Sequence, residues 1–462
     1  MKKALSIILG AGLILSLSSC GAAKSETTET TTTSATEQTA EEIDMGYYVI
    51  SYDTTENGLK YKIYSEEGIQ HTQIEEYIGT EENLVIPDYI EGYAVTDIDA
   101  YAFSENTTLK SVTIPETVTT IESCAFYECE NLSEVTIPES VTLLYGDAFE
   151  GTPWFEKMKA ENNPLIINNQ LICGLDMKGD VVIPDGITSI APCAFDGNMN
   201  ITSVTIPESC TVIGESAFSS CDELANVTLP ETLEVLGDGA FFSCNSLESI
   251  NLPESITFID DSAFRFCRSL EKIEFPEKLT NFGYSIFDGT KWLSDRQAEN
   301  PLVILNGVLI DGTTAVGEVT IPDGVERISE FAFSDSETVT KVIIPEHIAE
   351  IPSCVLIRCP NLEEVVLSDS VTTIGINAFS NCPKLKSVTL SAGLTKIGDY
   401  AFHDTPSLTE ITIPNSVDID IFYARFGSWD KEYEITARYK GDTYTYNHES
   451  RHFESNVSAV ER

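Results

Sequence analysis

The sequence has 462 residues, of which 74 are Asp or Glu and 27 are Lys or Arg, so the formal net charge is −47 at pH 7. This excess of carboxylates argues against nucleic acid and anionic membrane surfaces as partners, because binding to phosphate requires an excess of Lys and Arg. Solubility is the simplest explanation of the charge.

The first residues have the pattern of a secretory signal peptide. Lys2 and Lys3 precede an apolar stretch over residues 4–17, which is too short for a secure transmembrane helix. The Leu-Ser-Ser-Cys run that ends in Cys20 resembles a lipobox, in which cleavage leaves a lipid-modified cysteine at the new N-terminus. An ordinary signal peptide with an incidental cysteine is the alternative. We predict a signal peptide at residues 1–19 and a lipid on Cys20 that fixes the chain to the outer face of a bacterial membrane without spanning it.

The next segment, residues 20–44, is rich in Thr and Glu and carries almost no apolar bulk. It cannot bury enough surface to offset the entropy of ordering, which predicts a flexible tether. Residues 45–93 then contain strand-like runs at Tyr47–Ser51 and Leu59–Tyr64. We interpret residues 45–93 as an N-terminal cap for the repeats that follow, because a stack of repeats needs its open end covered.

Residues 94–419 repeat with a period of 23 residues. A fixed period of roughly 20 to 29 residues, with leucine and branched residues at set offsets, is the mark of a leucine-rich repeat solenoid. One aromatic position shows the phase at Phe103, Phe126, Phe149, Phe195, Phe218, Phe241, Phe264, Phe287, Phe333, Phe379 and Phe402. Ile172, Ile310 and Leu356 keep this position apolar where the aromatic is missing.

Each repeat has the pattern of one strand followed by a curved return. Val112 and Ile114 flank Thr113, which predicts a short strand with the branched residues inside and the threonine outside. Pro115 cannot donate to a ladder, so its recurrence marks the end of the strand. The apolar residues that follow are spaced by three and four, which favours a short helical, 3₁₀ or irregular return. Stacked repeats would therefore form a parallel β-sheet on one face, with strands about 4.8 Å apart.

This motif resembles the treponemal, BspA-like class of bacterial leucine-rich repeats. The shared pattern is Leu, two variable residues, Val or Ile, one variable residue, Ile-Pro, and then Val, Ile, Ala-Phe and Cys, and it covers roughly residues 85–420. Proteins of this class are surface proteins implicated in adhesion to host proteins, matrix or other cells. The resemblance therefore implies a cell-surface adhesive role.

Many of the 12 cysteines occupy a single repeat position, three residues after the aromatic. These are Cys129, Cys221, Cys244, Cys267, Cys359 and Cys382. A position that faces the core in successive repeats predicts a column of small buried side chains. Disulfides or a metal are the alternatives, but the paired CxxC spacing of common zinc sites is absent, so we predict no metal and no cofactor.

Two stretches depart from the repeat in the same way. One begins at Trp154 and the other at Trp292, 138 residues later, and each follows a Gly-Thr pair. The Asn168-Asn169 and Asn306-Gly307 pairs that come next, between apolar runs, predict a β-hairpin in each stretch. A structural role is the default interpretation of both tryptophans, and contact with a ligand is the alternative, because Trp is enriched in binding hot spots.

A candidate binding surface lies at the outward strand position. Most repeats carry a polar residue there, but the adjacent repeats have Ile343 and Val366. Apolar side chains stacked on neighbouring strands would form a contiguous patch, and such patches often mark contact sites. The alternative is that the aromatic residues between positions 422 and 429 fold back and cover them.

The repeat fades beyond residue 419, and we interpret residues 420–462 as a C-terminal cap built from edge strands. Residues 448–452 read HESRH, which matches the HExxH pattern of zinc proteases. That chemistry requires a helix with both histidines on one face, whereas the flanking sequence favours strand and turn.

We therefore predict a non-enzymatic, lipid-anchored surface protein whose partner is a protein or a polysaccharide. A secreted zinc hydrolase that uses residues 448–452 is one alternative, and a passive structural protein of the envelope is the other.

Overall fold

The computed structural model describes residues 47–66, 68–417, 426–427, 436–439, 442–447 and 452–455. Cys20, the predicted signal peptide and the predicted tether lie outside the described residues. The chain divides into two compact units: the first contains the residues up to 143 together with 148–154, and the second contains 144–147 and the residues from 155 onward. No helix in the described part of the chain is long and apolar enough to cross a membrane.

The first unit begins with antiparallel strands and continues as a parallel stack. Its strands are β1 (Tyr47–Thr54), β2 (Leu59–Glu66), β3 (Ile69–Tyr77), β4 (Asn83–Val85), β5 (Tyr89–Ile90), β6 (Tyr93–Ile98), β7 (Ser111–Thr113), β8 (Thr120–Ile121) and β9 (Glu134–Thr136), and β10 (Leu143–Leu144) follows at its end. Strands β1, β2 and β3 pair antiparallel in the region predicted as the cap. The parallel pairs β3–β6, β6–β8, β4–β7 and β7–β9 then build the rungs.

The second unit contains most of the repeats. Helix α1 (Pro153–Glu161) precedes its strands, which are β11 (Leu165–Ile167), β12 (Gln170–Cys173), β13 (Gly179–Val182), β14 (Ser189–Ile190), β15 (Ile201–Thr205), β16 (Val212–Ile213), β17 (Asn226–Thr228), β18 (Val235–Leu236), β19 (Ser249–Asn251), β20 (Phe258–Ile259) and β21 (Lys272–Glu274). Helix α2 (Lys291–Glu299) comes next, with β22 (Val303–Leu305), β23 (Val308–Asp311), β24 (Gly317–Thr320), β25 (Arg327–Ile328), β26 (Val339–Ile344), β27 (Glu350–Ile351), β28 (Glu364–Leu367), β29 (Thr373–Ile374), β30 (Ser387–Thr389), β31 (Lys396–Ile397), β32 (Phe402–His403) and β33 (Glu410–Thr412). The final strands are β34 (Phe426–Gly427), β35 (Thr436–Tyr439), β36 (Asp442–Asn447) and β37 (His452–Ser455).

A typical rung contributes strands to two parallel sheets. Val204 pairs with Val227 in the first sheet and Ile213 with Leu236 in the second, in both cases one repeat of 23 residues later. Because every rung is shifted by the same number of residues, the same side chains face the core throughout. The predicted leucine-rich repeat solenoid is confirmed, and the two-residue second strand is an addition that the spacing of three and four did not predict.

The rest of each return is irregular, one of the forms expected from the sequence. Ser216 and Ser220 have positive φ angles of 51° and 55°, which turn the chain on each side of Phe218. The Phe218 N–H donates to the Ala240 carbonyl at 2.8 Å, and the Ser220 N–H donates to the Phe242 carbonyl at 2.7 Å. Since these donors bond to the next rung rather than back along the chain, the return cannot form an α-helix.

Aromatic rings stack along the core of each unit. In the first unit, the Phe126 ring lies 4.5 Å from that of Phe103 and 4.8 Å from that of Phe149. In the second unit a longer stack runs from Phe195 to Phe287, with neighbouring planes tilted by no more than 14°. The positions that share a phase in the sequence therefore share a column in the structure.

The predicted cysteine column is also confirmed. All six cysteines are free and fully buried. Each thiol donates to a carbonyl of the preceding rung, as in the bonds from Cys244 Sγ to the Phe218 oxygen at 3.1 Å and from Cys267 Sγ to the Phe241 oxygen at 2.9 Å. The column therefore satisfies a buried carbonyl in each rung, which a purely apolar side chain could not do.

The two remodelled stretches contain the predicted hairpins, formed by β11 with β12 and by β22 with β23. Each hairpin is preceded by a helix, α1 or α2, which the repeat pattern did not predict. The signal for α2 was present in Thr290, whose hydroxyl accepts from the Leu293 N–H as an N-cap and donates to the Phe287 carbonyl at 2.6 Å. Thr290 takes the repeat position that cysteine holds elsewhere, so one side chain both continues the column and starts the helix.

Candidate functional site

The outward side chains of the first strand in each rung form a ladder along the sheet. Among these, Ile343 pairs directly with Val366, and Thr320 and Thr389 lie on either side of the pair. Ile343 and Val366 are both half-buried, whereas the two threonines are exposed. The structure therefore places the two apolar side chains side by side on the outer face, as the repeat phase predicted.

Charged side chains border this pair. Lys341 lies two residues before Ile343 on the same face of β26, with its Nζ 3.1 Å from Glu364 Oε2 and 3.8 Å from Glu318 Oε2. The three residues occupy the same position on adjacent strands. An apolar centre beside a row of ion pairs has the composition of a small binding surface with a polar rim.

The same outward position carries two further apolar residues that the sequence analysis passed over. Val85 in the first unit is 67% exposed, and Val182 in the second is 71% exposed. Val182 pairs with Thr205, 23 residues later, so the repeat phase contained the signal that would have found it. Each valine has polar neighbours on its ladder, which makes it a single exposed residue rather than a patch.

The structure places both candidate tryptophans in the core. Trp154 is 9% exposed and Trp292 is 6% exposed. Their rings lie 4.8 Å from those of Phe149 and Phe287, and so extend the aromatic stacks. Since buried rings are not available to a ligand, we retain the structural interpretation and leave both residues out of the binding surface.

A column of carboxylates follows the second strand in several rungs of the second unit. Burial raises the pKa of Asp238 to about 7, with a further contribution from the charge of Glu215. Burial also raises the pKa of Asp261 to about 7, and Asp260 and Asp238 add to this effect. The Tyr145 hydroxyl donates to Glu215 Oε2 at 2.9 Å. This column can take up protons near neutral pH.

A metal site is not apparent at these carboxylates. Within the described ranges, no group of three or more His, Cys, Asp or Glu side chains is arranged to hold a metal ion.

The HExxH motif falls between two antiparallel strands. Asn447 in β36 pairs with His452 in β37, while residues 448–451 lie outside the described residues. The second histidine therefore belongs to a strand, and the helix that presents both histidines to zinc in a metalloprotease is not the local structure at His452. The pairing matches the strand and turn that the flanking sequence favoured.

Comparison with known proteins follows from this geometry. A model of the BspA-type leucine-rich repeat region matches residues 96–195, 175–294 and 311–424. No curated protein matches the chain in sequence.

Solved structures similar to the chain come from several bacteria. A leucine-rich repeat protein from Bacteroides ovatus is 24% identical, with 84% of this chain and 100% of that one covered and a TM-score of 0.33. A leucine-rich cell surface protein from Faecalibacterium prausnitzii is 25% identical, with 85% and 95% covered and a TM-score of 0.38. The pneumococcal vaccine antigen PcpA is 18% identical, with 84% and 88% covered and a TM-score of 0.34.

Proposed function

The chain belongs to the family of BspA-type leucine-rich repeat proteins, and on this premise we propose that it is a lipid-anchored protein of the bacterial cell surface. It binds a macromolecular ligand, a protein or a polysaccharide, and its role is adhesion rather than catalysis. The observation that carries this proposal is the pairing of Ile343 with Val366 on the outer face of the sheet. Binding takes place on that face of the second unit.

The physical support for this surface is its rigidity and its composition. Ile343 and Val366 are held by ladder hydrogen bonds between β26 and β28, so a ligand need not order the backbone. The two side chains supply apolar area, and the ion pairs of Lys341 at the border supply polar contacts. The signal peptide and the anchor at Cys20 would place this surface outside the cell.

The double variant Ile343→Thr/Val366→Thr tests the binding surface. It should weaken binding about tenfold or more, because it removes the apolar centre and restores the threonine that other repeats carry. Binding of the purified protein to a panel of host matrix proteins, mucins and plant polysaccharides would measure the effect. Val182→Thr is the matched control, since it makes the same change at the same repeat position in another rung and should leave binding unchanged.

Stability separates this proposal from its alternative. The double variant should keep the thermal stability of the wild type, because threonine suits an exposed strand position. A loss of stability with unchanged binding would instead show that the pair is an internal contact, covered by another part of the chain.

The anchor has its own test. Cys20→Ser should move the protein from the membrane fraction to the soluble fraction, because serine offers no thiol for lipid attachment. Immunoblotting of the two fractions checks this outcome. If the variant stayed in the membrane fraction, the lipid anchor would be ruled out and an uncleaved signal segment would have to be considered.

A further inference from the structure

A cleft of about 740 Å³ opens in the second unit beside helix α2, where the rung is remodelled. The return of this rung is only the short turn after β23, so the row of bulky returns is interrupted. Asp311 and Thr313 line the cleft on this rung, Gln297 and Lys291 line it from the helix, and Phe331 lines it from the next rung. A cleft of this size falls within the range of ligand sites.

A buried carboxylate contributes to this cleft. Asp311 is 7% exposed, and Asp311 Oδ1 accepts from Gln297 Nε2 at 2.9 Å while Oδ2 accepts from the Thr313 hydroxyl at 2.9 Å. Among the described residues, the side chains that donate to Asp311 are neutral. Burial raises its pKa, and the nearby charge of Asp288 adds to the effect. A buried carboxylate without a cation is costly, and a positive group at this point would offset that cost.

The first remodelled stretch provides an internal comparison. It has the same helix and hairpin 138 residues earlier, but there Cys173, Lys159 and Leu175 occupy the positions of Asp311, Gln297 and Thr313. The shared architecture therefore does not require an acidic network at this point. The buried carboxylate is particular to the second stretch, which indicates a role other than holding the hairpin.

We propose that this cleft binds the cationic side chain of a lysine or arginine on a partner polypeptide, with the positive charge against Asp311. Asp288 on the cleft wall contributes a second carboxylate. The Phe331 ring, which lies 4.5 Å from that of Tyr284, offers an apolar wall for the methylene groups of the ligand. The uncharged hydroxyls of a neutral polysaccharide could not offset the buried charge, so a cationic peptide is the better match.

The two basic residues on the rim leave room for this charge. Lys291 is already paired with Asp295 on the helix, and Arg268 lies on the same lining. Against these two, the lining contains the four carboxylates of Asp288, Asp311, Glu330 and Asp335, of which Asp335 is paired with Arg358. The lining therefore carries more acidic than basic groups, and long-range attraction also favours a cation because the whole chain is strongly acidic.

The test uses short peptides with the full-length protein. Calorimetric titration with acetyl-Gly-Lys-Gly-amide, with its arginine counterpart, and with its norleucine counterpart compares ligands of similar size that differ in charge. The lysine or the arginine peptide should bind, and the norleucine peptide should not. The Asp311→Asn variant should weaken the charged peptide about tenfold or more, because it keeps the shape of the side chain but removes the charge. Glu254→Gln is the control, since it removes one exposed carboxylate elsewhere and should leave binding unchanged.

Three results would overturn the proposal: equal binding of norleucine and lysine peptides, no binding of either charged peptide by the wild type at millimolar concentration, or unchanged binding by Asp311→Asn. Weaker binding of the charged peptide to the wild type at high salt is also expected, so the proposal can be tested even if Asp311→Asn does not fold. The proposal is independent of the strand-face ligand, because these probes do not require that ligand and Ile343→Thr/Val366→Thr should bind them as the wild type does.

Discussion

Replacing Phe218 by Ala is expected to lower the free energy of unfolding of the second unit by about 3–5 kcal/mol. The Phe218 ring is fully buried and lies between two others, 4.8 Å from that of Phe195 and 5.2 Å from that of Phe241. Removing it would leave a cavity and break the stack on both sides. The neighbouring rungs cannot collapse into that cavity, because their spacing is set by backbone hydrogen bonds on either side. Urea unfolding, followed by circular dichroism, measures the change.

The matched control is the adjacent pair of residues in the next rung, where one aromatic is inside and the other outside. Phe241 belongs to the stack, whereas Phe242 is half-buried on the return, with its ring 5.5 Å from that of Phe266. Phe242→Ala should therefore cost only about 1 kcal/mol. If Phe218→Ala cost no more than Phe242→Ala, the aromatic column would not be a main source of stability.

The second large effect is expected from pH. Stability of the second unit should rise as the pH falls from about 8 to about 5, because Asp238 and Asp261 hold protons in the folded state up to a pKa of about 7 but only to about 3.8 when unfolded. Below the unfolded pKa both states are protonated, and between the two values the unfolded state alone loses the proton, so rising pH favours unfolding. After allowance for the part of each carboxyl that water still reaches, the change is about 1 kcal/mol per group. Burial shifts Glu215 and Asp260 in the same direction.

Melting temperatures at pH 5.5 and 7.5 would measure this dependence. The double variant Asp238→Asn/Asp261→Asn should reduce the difference between the two temperatures, because the buried groups that release protons are gone. Glu231→Gln/Glu254→Gln removes the same number of charges at exposed positions and serves as the control. An equal reduction in both double variants would attribute the effect to net charge rather than to burial.

The sequence alone was sufficient to predict the repeat and its core. The 23-residue phase places the same residue types at the same points, and stacking then requires that these points face inward together. The inward direction of Val112, the outward direction of Thr113 and the buried thiol of Cys244 all follow from phase and alternation. The pairing of Ile343 with Val366 follows in the same way, because residues one period apart meet on neighbouring strands.

Only the tertiary structure decided what happens between the strands and in the remodelled rungs. Apolar spacings of three and four suit both a helical turn and an irregular return, and the choice depends on hydrogen bonds to the next rung, such as that from Phe218 to Ala240. The tryptophans likewise carry no sign in the sequence of which way their rings point, and Trp292 is buried because Phe287 packs against it. Burial of Asp311 arises where helix, hairpin and next rung meet. Exposure and charge environment at such a point depend on segments that are distant in the chain, which a local repeat pattern does not specify.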